Sequence, residues 1–178
     1  GVDALAVSTQ KGLLGVYGMG FLYVRSEWAQ RLQPASVARF GVDEAALMGK
    51  GLVEEPLALK AGARRFDLGN YNMVGAVAAQ ESLTLLTRIG TQTIQAHTVA
   101  LARSLSAGLL GLGLPVCQPD DEKSQVHVAS LGSLIPATRK EESDLLFGLH
   151  QHLTRNHVRA SWRNGILRFS MHVYNDRS

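Results

Sequence analysis

Two short apolar segments joined by a glycine-rich turn lie at the start of this 178-residue chain. Residues 4–7 read ALAV and residues 21–24 read FLYV, and both patterns are typical of strands. The stretch between them contains Gly12, Gly15, Gly18 and Gly20. Glycine allows tight turns and close approach of two backbones. The pattern therefore predicts two strands joined by a compact turn.

A single lysine, Lys11, lies in this turn and is the only charged residue between Asp3 and Arg25. We expect it to be partly buried, because apolar residues and glycines lie on both sides. Burial without a counter-ion disfavours the charged form of an amine and makes it a better nucleophile. The alternative is a solvated lysine with no chemical role, which residue type and position alone favour.

The glycines also suggest a phosphate-binding loop, but their order differs from the two common types. A P-loop places its lysine after the glycines, and the dinucleotide-binding fingerprint opens a helix. Here Lys11 precedes the glycines, and residues 18–20 run directly into the second strand. We exclude both nucleotide-binding motifs.

Two long helices are predicted in the middle of the chain, at residues 74–89 and from Thr91 to about Leu110, with Gly90 between them. Before them, residues 35–60 have an irregular pattern and no assigned role. We expect the following apolar residues to form the core stripes of the helices: Val74, Val77, Ala78, Leu85 and Ile89 on the first, and Ile94, Leu101, Leu105 and Leu109 on the second.

The last third of the chain has the pattern of a small α+β unit. Residues 126–131 alternate as a strand, and a capping box of Thr138 and Glu141 begins a helix. Asn164-Gly165 between two alternating runs is a strong signal for a hairpin. We expect one helix stripe and one strand face to be apolar: Leu145, Leu146, Leu149 and Leu153 on the helix, and Leu167, Phe169, Met171 and Val173 on the last strand.

Arg168 is the candidate ligand-binding residue of that last strand. We expect it to project from the face opposite the core, together with Ser170, His172 and Tyr174. A planar guanidinium suits a carboxylate because it donates two parallel hydrogen bonds. An exposed arginine without a ligand is the alternative, and residue type alone favours it.

Three separated segments resemble the class V aminotransferases, which are pyridoxal-phosphate enzymes of fold type I and include cysteine desulfurases and epimerase-like proteins. They occur in the family's order and span nearly the whole chain. Their sequences are S-T-Q-K-G-L-L-G-V-Y-G-M-G-F-L-Y-V at residues 8–24, R-F-D-L-G-N-Y-N at residues 65–72 and L-R-F-S-M-H-V-Y-N at residues 167–175.

The resemblance implies a role for each matching residue. Lys11 matches the catalytic Schiff-base lysine that holds pyridoxal 5'-phosphate. Ser8 matches the serine on the phosphate side, and Gln10 stands where a cofactor-binding histidine is common. Asn70 has the position of a threonine that reaches the cofactor phosphate of the neighbouring subunit. Arg168 matches the arginine that binds the substrate α-carboxylate.

The resemblance also implies how the chain is divided. We expect an α/β fold with a small α+β lobe, the C-terminal part of a fold-type I transferase. Residues 1–90 would be the end of the large cofactor-binding domain, and residues 91–178 a linking helix and the small domain. Because the chain starts almost at once on an apolar strand, we expect a fragment that is inactive by itself.

The expected function is that of a pyridoxal-phosphate-dependent, aminotransferase-like enzyme with an amino-acid or keto-acid substrate. Transamination, epimerisation and carbon–sulfur or other elimination all stay open. A desulfurase is disfavoured, because residues 153–167 lack the cysteine that those enzymes carry shortly before the arginine motif. Two alternatives are a dimerisation module that keeps the fold without the chemistry and a basic protein that binds anionic partners.

Composition limits the partners. The net charge is +3 and the basic residues are scattered, so we expect no nucleic-acid surface. The sequence has no apolar run long enough for a membrane span, and its single cysteine, Cys117, fits the reducing cytoplasm. No metal site is expected, because His150 and His152 do not share a helix face. The family resemblance implies a homodimer.

Overall fold

The computed structural model describes residues 1–43, 57–117, 119, 121, 124–133 and 139–177. The chain divides into two compact units, Gly1–Arg88 and Ile89–Ser178, and each is described by itself. That these units are parts of a cofactor domain and a small domain stays a prediction.

The first unit begins with an antiparallel ribbon of β1, Ala4–Ser8, and β2, Gly20–Val24. Ser8 pairs with Gly20 at the turn, where a Cβ on Gly20 would lie 2.7 Å from the carbonyl oxygen of Val7. The glycine therefore permits the two strands to meet there. The two predicted strands are confirmed. Both are largely exposed in this chain, and Leu5 has 49% of its surface accessible.

A short helix and two 3₁₀ turns follow the ribbon. Helix α1 is Ser26–Arg31, and the turns are Arg39–Gly41 and Gly62–Phe66. The Arg65 guanidinium connects the second turn to α1, because it donates to the carbonyl oxygens of Gln30 at 3.0 Å and Leu32 at 3.4 Å at the end of that helix. Of the predicted loop at residues 35–60, residues 44–56 lie outside the described part.

Helix α2 is Met73–Ile89, which confirms the first predicted long helix. Its buried residues are Gly75, Ala79 and Leu86. The predicted stripe is wrong in its most exposed members, since Val74, Val77 and Leu85 are 79%, 60% and 41% exposed. The small buried residues allow α2 to pack closely against the segment that precedes β2. A Cβ on Gly75 would lie 3.0 Å from the Cβ of Met19 in that segment.

The second unit has six elements, in chain order α3, Thr91–Gly111; β3, Val116–Cys117; β4, Val128–Leu131; α4, Arg139–Arg155; β5, Ser161–Arg163; and β6, Ile166–Ser170. The helices pack on one face of an antiparallel sheet with strand order β3-β4-β6-β5. The second predicted long helix and the α+β character of the tail are confirmed.

The core of this unit is formed by Leu131, Leu146 and Leu167, each fully buried. Burying a leucine side chain contributes about 1.5–3 kcal/mol. The predicted α4 stripe is correct except for Leu145, which is 61% exposed. The predicted cap residue Thr138 lies outside the described residues. Partly buried residues around this core include Leu109, Leu114, Leu149, Leu153, Trp162 and Phe169.

The hairpin between β5 and β6 has the predicted two-residue turn. Asn164 and Gly165 both have positive φ, at 52° and 78°, as a type I′ turn requires, and Arg163 pairs with Ile166. The last strand ends at Ser170, earlier than predicted. The chain turns there because the Asn175 side chain accepts the backbone N–H of His172 at 2.8 Å.

Each unit contains one of the two tryptophans. In the first unit, the Trp28 indole donates to Asp3 at 3.2 Å, and the Arg31 guanidinium lies 4.8 Å from its ring centre. In the second unit, the ring centres of Trp162 and Phe147 are 5.7 Å apart. No helix within the described ranges has both the length and the apolar character needed to cross a bilayer.

Candidate functional site

Lys11 lies in a tight turn that follows β1 almost directly. The Leu14 N–H donates to the carbonyl oxygen of Lys11 at 2.9 Å, and Leu14 has a φ of 55°. The expectation of a partly buried lysine is wrong for this chain, in which Lys11 is exposed. The turn lies at the end of a ribbon whose strands are themselves exposed, so the ribbon does not cover it.

Thr9 is the buried residue that fixes this turn. Its side chain is fully buried, and its hydroxyl faces the carbonyl oxygens of Val16 at 2.9 Å and Met19 at 3.1 Å. Its own N–H donates to Met19 at 3.1 Å, and its carbonyl accepts the N–H of Gly15 at 2.8 Å. A Cβ on Gly15 would lie 2.6 Å from the Thr9 Cβ. Hydrogen bonds between Thr9 and the backbone of Gly15, Val16 and Met19 therefore fix the backbone that carries Lys11.

Ser8 and Gln10 flank Thr9 in sequence and differ from it in exposure. Ser8 is exposed and Gln10 is half-buried. In the described part of the chain, the side chains of Ser8, Gln10 and Lys11 take part in no hydrogen bond or ion pair. A hydroxyl, an amide and a primary amine are donors suited to a phosphate, and the amine also condenses with an aldehyde. This set fits a phosphorylated aldehyde.

The loop that carries Asn70 is closed by a side-chain hydrogen bond. Asn70 is exposed. The residues on either side of it in sequence are hydrogen-bonded to each other, because the Tyr71 hydroxyl donates to the Asp67 carboxylate at 2.6 Å. That hydrogen bond is the main cause that raises the pKa of Tyr71 above its ordinary value of 10.0, with smaller contributions from desolvation and the Asp67 charge. The bond limits the conformations open to Gly69 and Asn70.

Asn72 joins this loop to the glycine-rich segment after Lys11. Its amide donates to the carbonyl oxygens of Tyr17 at 3.4 Å and Gly18 at 3.3 Å. Its side-chain oxygen accepts the N–H of Gly75 at 2.9 Å, which caps α2. Sequence reasoning missed Thr9 and Asn72; an asparagine just before a predicted helix is the signal that was present for the second.

Arg168 lies in the middle of β6, half-buried, between Ser130 on β4 and Ser161 on β5. Its neighbours in sequence, Leu167 and Phe169, belong to the core, so the predicted outward direction of Arg168 is confirmed. Within the described residues, its guanidinium has no hydrogen bond or ion pair. The residues paired with it on both neighbouring strands are serines, which have small side chains.

Of the other residues predicted on this face, Ser170 is the last residue of β6, but His172 and Tyr174 do not belong to the strand. His172 and Tyr174 follow the end of β6, and their rings stack with centres 5.0 Å apart. Cys117 is exposed and forms no disulfide. In the described segments, no three His, Cys, Asp or Glu residues are grouped as a metal site.

The structure thus places Ser8 at the end of β1 and Gln10 and Lys11 in the turn that follows it. Asn72 connects the Asn70 loop to the glycine-rich segment after Lys11. All of these lie in the first unit, and Arg168 lies in the second. The roles of these residues in binding and catalysis stay predictions.

The whole chain, residues 1–178, matches the family model described as aminotransferase class-V. The chain belongs to the class V aminotransferases. Pyridoxal phosphate is the cofactor to which this membership points.

Curated relatives of this class V aminotransferase chain are named as aminotransferases and cysteine desulfurases. An uncharacterised aminotransferase, YcbU, of Bacillus subtilis strain 168 is 33% identical over 180 residues, which cover 99% of this chain and 42% of the relative. A probable cysteine desulfurase of Pyrococcus abyssi is 26% identical over 178 residues, covering 97% of this chain and 43% of the relative. The chain therefore spans less than half the length of these relatives.

Solved structures share the fold. The apo cysteine desulfurase of Thermococcus onnurineus NA1 has a TM-score of 0.71 at 24% identity, covering 98% of this chain and 43% of that one. The cystine C-S lyase C-DES, in complex with cysteine persulfide, has a TM-score of 0.73 at 19% identity, with the same coverage. The predicted class, part of a fold-type I pyridoxal-phosphate enzyme, is confirmed.

Proposed function

We propose that this chain is the C-terminal portion of a pyridoxal-phosphate-dependent, aminotransferase-like enzyme that acts on an amino acid or keto acid. The observation that carries the proposal is the Lys11 turn. An exposed primary amine, which has no side-chain partner among the residues that the structure describes, lies on a backbone fixed by the buried Thr9 and next to two further donors. In a member of the class V family, this arrangement is suited to hold an aldehyde.

Each predicted site residue has a role in this proposal. Lys11 would hold the cofactor as its Schiff-base lysine, and its Nζ would move the α-proton of the substrate. Ser8 donates to the cofactor phosphate, and Gln10 contacts the cofactor beside Lys11. Asn70 donates from its amide to the cofactor phosphate of the neighbouring subunit. When bound, pyridoxal phosphate would supply an electron sink for the reaction at the α-carbon.

Arg168 orients the substrate in this proposal by holding its α-carboxylate with a bidentate pair of hydrogen bonds. The half-buried position between two small serines supports this role, since partial burial strengthens charge pairing. Holding the carboxylate fixes the orientation of the substrate. The orientation in turn decides which bond at the α-carbon is aligned to break.

The proposed enzyme is a cytoplasmic homodimer in which further residues cover Lys11. Large apolar side chains of the ribbon and of α2 are exposed in this chain and support such a cover. They include Leu5, Phe21, Leu22, Tyr23, Met73, Val74 and Val77. A covered lysine has fewer waters around it, which favours the neutral amine that the chemistry requires.

The decisive experiment replaces Lys11 with alanine in the whole enzyme and compares it with Lys140→Ala, an exposed lysine on α4. We expect Lys11→Ala to lose the visible absorbance of the cofactor-loaded enzyme and about a thousandfold or more in turnover. Lys140→Ala keeps both. Multiple turnovers by Lys11→Ala at the parent rate would refute the proposal.

Product analysis of the same enzyme separates the reactions that these residues can serve. Transamination converts an added keto acid to its amino acid, epimerisation inverts the α-carbon, and carbon–sulfur elimination releases a sulfur product. A dimer that shows no cofactor absorbance would instead favour a module that keeps the fold without the chemistry. Binding of polyanions with steep salt dependence would favour the basic surface protein.

A further inference from the structure

The Asn72 side chain connects two backbone segments that are more than fifty residues apart in sequence. Its hydrogen-bond partners in the glycine-rich segment, Tyr17 and Gly18, are 55 and 54 residues away. Its partner in α2 is the N–H of Gly75, and its backbone carbonyl accepts the first helical hydrogen bond from Ala76 at 2.8 Å. One residue therefore caps the helix and holds the far end of the Lys11 turn.

The orientation of the amide follows from these partners. Two carbonyl oxygens face the nitrogen, and one backbone N–H faces the oxygen. The flipped amide would place oxygen against two carbonyls and nitrogen against an N–H, so both contacts would be repulsive. The network thus requires an amide rather than any small polar group.

Two glycines make room for this amide. A Cβ on Gly75 would lie 2.6 Å from the Asn72 nitrogen, and a Cβ on Gly18 would lie 3.2 Å from it. Gly18 also has a φ of +80°, which side-chain-bearing residues rarely adopt. The close fit on both sides means that a displaced Asn72 side chain moves the glycine-rich segment or the first turn of α2.

We infer that Asn72 is a positioning residue that fixes the position of the Lys11 turn relative to the Asn70 loop. The segment from Thr9 to Met19 is held at one end by the Thr9 hydroxyl and at the other by the Asn72 amide. Asn70 is two residues before Asn72 in the chain. This inference rests on the proposed function, in which Lys11 and Asn70 bind the cofactor.

The test uses variants that separate capping from bridging. Serine and aspartate are both good N-cap residues, so Asn72→Ser and Asn72→Asp keep the α2 cap. Neither can donate to Tyr17 and Gly18 as the amide does, and the carboxylate of Asn72→Asp adds repulsion against the two carbonyls. Asn156→Ser is the matched control: its amide also donates to a backbone carbonyl, that of His152 at 2.9 Å, but in the second unit.

The first measurement is amide hydrogen exchange in the whole enzyme without cofactor. The amides of Leu14 and Gly15 report the Lys11 turn, because both donate within it. We expect about tenfold faster exchange at these two amides in Asn72→Ser, more in Asn72→Asp, and parent rates in Asn156→Ser. Parent exchange rates in both Asn72 variants would overturn the inference.

The second measurement is the cofactor itself. In the loaded enzyme, the position of the visible absorbance band and the pH at which it changes report the surroundings of the Lys11 amine. A purely structural role of Asn72 would leave both unchanged in molecules that remain folded. We expect both to shift in Asn72→Ser and the rate of cofactor loss to rise about tenfold.

The two measurements keep the inference separate from the proposed function. Absence of the absorbance band in the parent enzyme would refute the proposed function, while hydrogen exchange would still decide whether Asn72 holds the turn. A parent band that Asn72→Ser leaves unchanged in position and in pH response would overturn the inference and leave the proposed function in place.

Discussion

The Thr9 hydroxyl oxygen lies 2.9 Å from the carbonyl oxygen of Val16, across the turn that contains Lys11. Thr9 is fully buried while Lys11, two residues later, is exposed. A buried residue with hydrogen bonds across the turn therefore lies two positions before the exposed amine. Fixed geometry at a reactive group raises the rate of a reaction by reducing the freedom lost on reaching the transition state.

Thr9→Val should destabilise the first unit. Valine has nearly the shape of threonine but no donor, so the carbonyls of Val16 and Met19 lose a partner at a buried position. The expected cost is about 1–3 kcal/mol of unfolding free energy, measured by urea denaturation of the whole enzyme. Thr9→Ser keeps the hydroxyl and should recover most of that stability. Equal stability of Thr9→Val and the parent would contradict the anchor role.

Gly132→Ala should destabilise the second unit, and Gly148→Ala should not. Gly132 has a φ of +120°, and a Cβ there would lie 2.9 Å from the carbonyl oxygen of Gly165. The strained backbone and the contact should cost about 2 kcal/mol or more. Gly148 lies within α4 with no atom within 4 Å of an added Cβ, so alanine should stabilise by about 0.5–1 kcal/mol. Thermal unfolding of both variants checks the opposite signs.

Tyr71 should contribute stability at neutral pH that is lost in alkali. Its hydrogen bond to Asp67 raises the pKa of the phenol, so the folded state favours the protonated form. The contribution is complete below the ordinary pKa of 10.0 and declines as the pH rises through the higher pKa of the folded state. The difference in unfolding free energy between the parent and Tyr71→Phe should therefore shrink above that pH.

Asp67→Asn provides the control for that titration. It keeps an oxygen acceptor but removes the carboxylate charge, so Tyr71 should titrate at a lower pH than in the parent. The phenolate absorbance of the parent minus that of Tyr71→Phe isolates this residue from the other tyrosines. A Tyr71 titration that Asp67→Asn does not change would show that the Asp67 contact does not control it.

Arg168→Ala should weaken substrate binding more than it slows chemistry. Loss of a charge-assisted pair of hydrogen bonds should raise KM about 10- to 100-fold. Arg168→Lys should recover little, because an ammonium cannot form the planar bidentate pair. Arg159→Ala removes an exposed arginine of the same unit as the control. Steady-state kinetics with a parent-like KM for Arg168→Ala would remove it from the substrate site.

Local sequence signals predicted the elements of this fold well. Asn164-Gly165 predicted the hairpin because asparagine and glycine readily adopt the positive φ that both turn positions need. Gly90 separated α2 from α3 because glycine interrupts a helix. Periodicity predicted that helices form, but it does not identify what covers an apolar stripe. Val74 and Val77 therefore follow the helical period and remain exposed in this chain.

The candidate site was predicted from the resemblance of three segments to a family, because residue type alone favours a solvated lysine and an exposed arginine. Lys11 and Arg168 drew attention through their chemistry, whereas Ser8, Gln10 and Asn70 were assigned only by their positions in those segments. Thr9 and Asn72 were missed, because their partners are backbone carbonyls brought near by folding. Carbonyls are present at every residue, so no spacing rule marks which ones a side chain will meet.

The placement of one indole in each unit has a practical consequence for following how this protein folds. Replacing Trp162 with phenylalanine leaves Trp28, beside Asp3 and Arg31, as the fluorescent reporter of the first unit. The reciprocal replacement leaves Trp162, against Phe147, as the reporter of the second. Emission from the two single-indole proteins would reveal whether the halves melt together or in succession.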